Sequence, residues 1–290
     1  MILKTGKHFL TEVFCFALFL LTLSSPILSA KTAKLPIVST LHTTLTQPTK
    51  PDLSEPLNFQ HLRIRDGFLM NPHKPASRGP WFEGWYTRIT DSAGKRSMSV
   101  ITATFLRAGA TYSPGSTIPG YIAILISEGD GAPTQVYEAF PEKTMSYVNN
   151  ATTSINNALN STADFCWFAE GYGMITNKLI NIEIPGKTTF RAEFSGGKAW
   201  GKNVLSGPEG VGGLMTKLPL HWHVHSLASE TIYEITLNGQ KFSGTGTAHQ
   251  EKNWGKVFPS AWIWLQGISS DGEAQLAATG GKLNLGIAEP

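Results

Sequence analysis

Thr231-Ile232-Tyr233-Glu234-Ile235-Thr236-Leu237-Asn238-Gly239 is the stretch that decides the fold class. It is rich in β-branched and aromatic residues, with Ile232 and Leu237 bracketing a mixed middle. It stops at Asn238-Gly239, the dipeptide that suits a two-residue hairpin turn. Segment 241–249 then reads as the returning strand. Working outward, the same alternation recurs over 81–89, 98–106, 121–127, 135–140, 165–169, 178–184, 188–194, 221–227, 261–268 and 274–279. Segment 142–159 is the only candidate for a short helix or long loop. Gly244-Thr245-Gly246 falls inside strand-like sequence and marks a bend or bulge, not a nucleotide loop. Many short strands with glycine turns make the chain all-β, an antiparallel barrel or sandwich.

Composition agrees. Of the 290 residues, 41% are hydrophobic and only 16% charged, with a formal net charge of +3. This is a globular balance with no basic stripe, which argues against nucleic acid as a partner. Residues 1–30 read as a secretory signal peptide: Lys4 and Lys7 precede a short apolar run, and Leu28-Ser29-Ala30 suits cleavage. An uncleaved signal anchor is the alternative, and the only route to a membrane. Residues 31–60, broken by Pro36, Pro48, Pro51 and Pro56, form an extended linker. Cys15 lies in the leader, so Cys166 is the one mature cysteine and reads as a buried thiol. Residues 149–162 are polar and low in complexity, an exposed loop with glycan acceptor patterns at Asn150 and Asn160. A glycine-rich stretch, 196–213, separates a first β domain (61–213) from the start of a second (214–290).

Three motifs could carry chemistry. In Trp81-Phe82-Glu83-Gly84-Trp85-Tyr86, strand alternation puts Glu83 on one face with Trp81 and Trp85. A carboxyl desolvated among indoles favours its neutral acid form, which a proton donor requires. The alternative pairs Glu83 with Arg88 or Arg107 and merely pins the strand. In His249-Gln250-Glu251-Lys252-Asn253-Trp254-Gly255, followed by Trp262 and Trp264, polar residues stand among tryptophans, a costly arrangement unless they form a connected network. His221-Trp222-His223-Val224-His225 invites a metal reading, but on a strand His221 and His225 lie about 13 Å apart and cannot share one ion. At most two of the three could bind, with His249 or Glu251 completing the set. A structural histidine ladder is the preferred reading, with no metal and no cofactor.

At these motifs the chain resembles the tocopherol cyclase family. The matching pieces are Trp81 to Tyr86 with Pro72-His73 upstream, Glu251-Lys252-Asn253-Trp254-Gly255, Phe258-Pro259, Trp262-Ile263-Trp264-Leu265-Gln266, and 272–283. The resemblance implies two lipocalin-like β-barrel halves, the second incomplete at Pro290. It also implies closure of a chromanol ring on a prenylated quinol. That reaction needs an acid, an apolar pocket and π faces. Glu83 or Glu251 would donate the proton, and His223 or His249 would take up the phenolic one. Trp85, Tyr86, Asn253, Trp254, Trp262 and Trp264 would line the pocket. The partner is a hydrophobic small molecule, a prenyl quinol or other lipid. A non-catalytic carrier of such a molecule is the alternative, and a secreted structural glycoprotein a third class.

Overall fold

The computed structural model describes residues 72–129, 131–148, 165–200, 207–210, 213, 218–269 and 274–282. The leader, the 31–60 linker and the acceptor triplets at Asn150 and Asn160 lie outside the described residues. Thirteen strands follow one another: β1 (Trp81–Asp91), β2 (Ser97–Leu106), β3 (Gly120–Ser127), β4 (Gln135–Ala139), β5 (Thr144–Val148), β6 (Phe165–Ala169), β7 (Gly173–Thr176), β8 (Leu179–Ile184), β9 (Thr188–Lys198), β10 (Leu220–Leu237), β11 (Gln240–Gly255), β12 (Ala261–Ile268) and β13 (Gln275–Lys282). Eleven form one antiparallel sheet in the order β4-β3-β2-β1-β11-β10-β9-β8-β7-β6-β5, and β12 and β13 form a separate hairpin.

The large sheet curls into a half-barrel. Its far edge, β5, comes back to the chain entering β3, where the Thr144 amide donates to the Ile118 carbonyl at 2.8 Å and the Gly120 amide to Pro141 at 2.8 Å. Alternation then gives the sheet two distinct sides. The lumen side gathers Trp85, Ile89, Met98, Ile122, Phe165, Trp167, Ile182, Phe190 and Tyr233 into the main core. The outer side of β1–β3 gathers Phe82, Tyr86, Ile101, Phe105 and Tyr121, and is covered by Trp264 and Trp262 of β12. Truncating one of the large core side chains to alanine would cost about 2–5 kcal/mol.

The deciding stretch forms the end of β10 and turns into β11 at Asn238-Gly239, both with positive φ. Its inward residues are Tyr233, Ile235 and Leu237, whereas Ile232 points out and is 48% exposed. The two segments expected at 221–227 and 231–237 are one long strand, joined through register shifts between Val224 and Ser229. Two short strands, β5 and β7, escape the pattern, and β5 occupies part of the segment expected to be helix or loop. The expected domain change near 214–220 meets an unbroken sheet, for β10 and β11 lie at its centre and the change of sheet falls between Gly255 and Ala261. Gly246 explains the Gly-Thr-Gly pattern: a Cβ there would stand 2.4 Å from the Thr90 carbonyl oxygen.

Candidate functional site

Cross-strand partners share a face, so the register sorts the candidate residues. On the lumen side, one row runs Thr102–Trp85–Lys252–His223 across β2, β1, β11 and β10, and the next runs Thr104–Glu83–Trp254–His221. On the outer side the rows are Ile101–Tyr86–Glu251–Val224 and Ala103–Gly84–Asn253–Trp222. The two acids therefore stand on opposite faces of one sheet.

Glu83 is fully buried in the lumen. Its Oε1 lies 2.9 Å from Lys252 Nζ and 2.8 Å from His73 Nδ1, while the His73 amide donates to Oε2 at 2.9 Å. Burial alone would raise the carboxyl's pKa, but Lys252 and His73 outweigh it and hold it below the ordinary range. The expected neutral acid is thus an ion-paired carboxylate. Its partner is Lys252, not Arg88 or Arg107; Arg88 points to the other face and donates to Ser97 at 3.3 Å. Trp254 is sandwiched into the same cluster, its ring 4.5 Å from His73, 5.0 Å from His221 and 4.6 Å from the Lys252 ammonium.

His223 is on the lumen side with Glu83, not beside Glu251. Burial, then the positive groups Lys252 and His73, push its pKa down to about 3, so it is neutral. His225 is pushed well down by burial, His223 and Lys252. Among the described residues, His221 alone of the three has a carboxylate partner: Glu209 Oε2 sits 3.0 Å from its Nδ1, and Oε1 accepts from the Trp222 amide at 2.7 Å. The mixed metal set has no geometry, since His249 and Glu251 face away from His221 and His223. Among the described residues no group of three or more His, Cys, Asp or Glu side chains is placed to hold a metal ion.

The outer-face cluster is built around Glu251 Oε2. Trp222 Nε1 and Trp264 Nε1 each donate to it at 3.0 Å, and His249 Nε2 lies 3.0 Å from it. His249 Nδ1 meets the Leu227 carbonyl at 3.4 Å. The 3.0 Å Nε2–Oε2 contact is a hydrogen bond, so one proton lies between the imidazole and the carboxylate. Glu251 and His249 are each 1% exposed. Tyr86 meets the Trp264 ring edge-on at 5.4 Å, and burial foremost pushes its phenol up to about 12. Trp262 packs against the same face, and Asn253 Nδ2 donates to the His221 carbonyl at 3.3 Å, tying β11 to β10.

The sequence reading assigned no individual role to His73, Lys252 or Trp222, and gave His225 only a place in a structural histidine ladder. Lys252 lay inside a quoted motif, but only the register shows that it faces Glu83 diagonally across β1.

A curled antiparallel half-barrel with ionisable residues locked among indoles on both sides of its central strands is a lipocalin-like β-barrel protein. The chain belongs to the tocopherol cyclase-like family, whose model matches residues 79–288. It is 24% identical over 266 residues to a "Probable tocopherol cyclase, chloroplastic" of Oryza sativa subsp. japonica, covering 78% of this chain and 56% of that protein. It is 28% identical over 114 residues to the chloroplastic tocopherol cyclase of Zea mays, covering 37% of this chain and 24% of that one. The chain thus spans about half the length of the rice relative. Among solved structures it is similar to CghA with Sch210972, at a TM-score of 0.45 and 10% identity over 74% of this chain and 64% of that chain.

Proposed function

We propose that the protein catalyses an intramolecular cyclisation of a prenylated quinol or a similar hydrophobic substrate on the outer face of β11, with the Glu251–His249 pair as proton source. The convergence of two indole N–H groups and one imidazole on a single buried carboxylate oxygen carries this reading. In the reaction the shared proton goes to the less substituted carbon of a trisubstituted alkene, forming a C–H bond and a tertiary cation. The phenol oxygen captures that cation, a C–O bond closes the ring, and the phenolic proton returns to the pair. Atoms and charge balance without a redox partner. Trp222 and Trp264 are aimed at Oε2, where negative charge develops as the proton leaves. The faces of Trp264 and Tyr86 offer π surface to the cation. Asn253 braces the strand, while Trp85 and Trp254 belong to the lumen. A carrier would have no use for a buried pair that shares a proton, so that alternative is the weaker reading. Export through residues 1–30 remains part of the proposal.

The test is Glu251→Gln, assayed with a prenylated benzoquinol for chromanol formation. The exchange keeps the shape and removes the shared proton, and turnover should fall at least 100-fold, the lower end of what a positioned acid contributes. Undiminished turnover would sink the assignment.

A further inference from the structure

We propose that the outer-face site of β1 and β11 takes a substrate with a carboxylate on its aromatic ring, an acidic prenylated phenol, and that the Arg88 guanidinium holds that carboxylate. The inference rests on the placing of the reaction at Glu251. The register sets Arg88 beside the reactive pair: Arg88 is the β1 partner of His249, as Tyr86 is of Glu251. Ser99 of β2 completes the Arg88 row, and its Oγ lies 3.2 Å from the Tyr86 hydroxyl. Directly opposed residues on neighbouring strands carry their Cβ atoms about 4.5–5.5 Å apart. Burial is the larger influence on the Tyr86 phenol, and the Arg88 charge acts on it in the opposite sense, so the guanidinium reaches toward the same cluster.

Among the described residues Arg88 has no carboxylate partner. Its Nε donates to Ser97 Oγ at 3.3 Å, which leaves both terminal nitrogens of the guanidinium fork uncommitted among the described residues. Arg96 shows the contrast: its Nε pairs with Glu128 at 3.1 Å and its guanidinium covers the Phe242 ring at 4.5 Å. Solvent access changes along the outer face. Tyr86 and Glu251 are buried, Arg88 and Ser99 are half-buried, and Thr90 beyond them is exposed. Arg88 therefore stands where the dry cluster meets water, within reach of a molecule that enters from that side.

The charge and the planar fork set the ligand chemistry. A guanidinium is always charged, and two free N–H edges match a carboxylate in a bidentate pair. Successive rows on one face of a strand are two residues apart, about 7 Å along it, close to the length of one benzene ring with its carboxylate. A ring held at Arg88 by its carboxylate thus extends its far side to Tyr86 and Glu251. The phenol hydroxyl para to the carboxylate, and the prenyl alkene beside that hydroxyl, then fall at the proton source. The chemical step is unchanged: the alkene takes the proton, the phenol oxygen closes the ring, and the carboxylate takes no part. A neutral quinol would leave Arg88 without a counter-charge.

The probes are para-hydroxybenzoic acid with a saturated isopentyl chain ortho to its hydroxyl, which cannot cyclise, and the methyl ester of that acid. Both are titrated calorimetrically into the full chain, Arg88→Gln and Arg88→Lys. In the parent the acid should bind at least about tenfold more tightly than the ester, the least expected of a hydrogen bond to a charged group. The ratio should fall to about one in Arg88→Gln, recover in part in Arg88→Lys, which keeps the charge but not the fork, and shrink as salt is raised. A ratio near one in the parent, a ratio that Arg88→Gln leaves intact, or no binding of either probe overturns the proposal; a guanidinium that only water solvates gives the first of these. The unsaturated acid and ester are assayed for chroman formation as well. An acid preference set by Arg88 without any chroman product refutes the cyclisation and leaves the carboxylate site standing. Turnover of the ester with no preference for the acid does the reverse.

Discussion

Replacing Lys252 by Met should destabilise the protein more than any other single exchange on β11. The side chain is 0% exposed, and so is Glu83, whose carboxylate it contacts at 2.9 Å. Methionine has nearly the same length and keeps the packing against Trp254 and Trp85, so the loss isolates the charge. What remains is a carboxylate inside the barrel with only His73 as donor. Removing one partner of a buried pair costs about 3–5 kcal/mol, because the other charge is left uncompensated. Against a typical total of about 5–15 kcal/mol, that leaves the variant marginal. Glu83→Gln removes the carboxylate that faces the Lys252 ammonium. The double variant removes both charges, and a coupling energy of about 1–3 kcal/mol should be recovered, since the residues touch. Urea unfolding at pH 7, followed by tryptophan fluorescence and circular dichroism, gives all four corners of the cycle. If each single exchange costs less than about 1 kcal/mol and the double is additive, the pair does not hold β11 to β1 and the electrostatic account is wrong.

Acid should act through the same group. Glu83 has its folded pKa below the ordinary 4.5, so its contribution is complete above that value and is lost as pH falls through the folded pKa; the stability gap between parent and Glu83→Gln, measured by urea unfolding from pH 7 to 3, should narrow only below about 4.5, and a constant gap would contradict the assignment. Gly120→Ala would place a Cβ 2.3 Å from Thr144 Cγ2 and 2.6 Å from the Ala103 carbonyl oxygen, where β5 closes on β3, and should cost about 1–3 kcal/mol in chemical denaturation. Gly267→Ala, with nothing within 4 Å of its Cβ, should stay within about 0.5 kcal/mol and serves as the control.

Much of the fold was legible because period two and Asn-Gly turns are local signals. The segments 165–169 and 261–268 match β6 and β12 end to end. β5 was not legible: Thr144-Met145-Ser146-Tyr147-Val148 is short and weakly alternating, and it becomes a strand by pairing with Phe165-Cys166-Trp167-Phe168-Ala169 across a long interval of sequence. Propensity cannot report such long-range pairing. The same limit applies to the site. The motifs name acids, imidazoles and indoles as types, but the sign of the Glu83 shift depends on a lysine 169 positions away in sequence, numbered 252, reached only through the β1–β11 register.

Why the two acids ended on opposite faces follows from parity. In the β1–β11 ladder every partner pair joins an odd-numbered residue to an even-numbered one: Glu83 to Trp254, Trp85 to Lys252, Tyr86 to Glu251. Two odd-numbered residues, Glu83 and Glu251, must then point in opposite directions. A slip of one residue would put both acids in the lumen, and with them Lys252 on the outside, breaking the ion pair and the Trp222–Glu251–Trp264 convergence together. The register is pinned against that slip by features outside both clusters. Gly246 must pass the Thr90 carbonyl where no side chain fits, and Tyr233 donates from β10 to Asp91 Oδ1 at 2.9 Å at the end of β1. The chemistry of each face therefore rests on a ladder held in place several residues away.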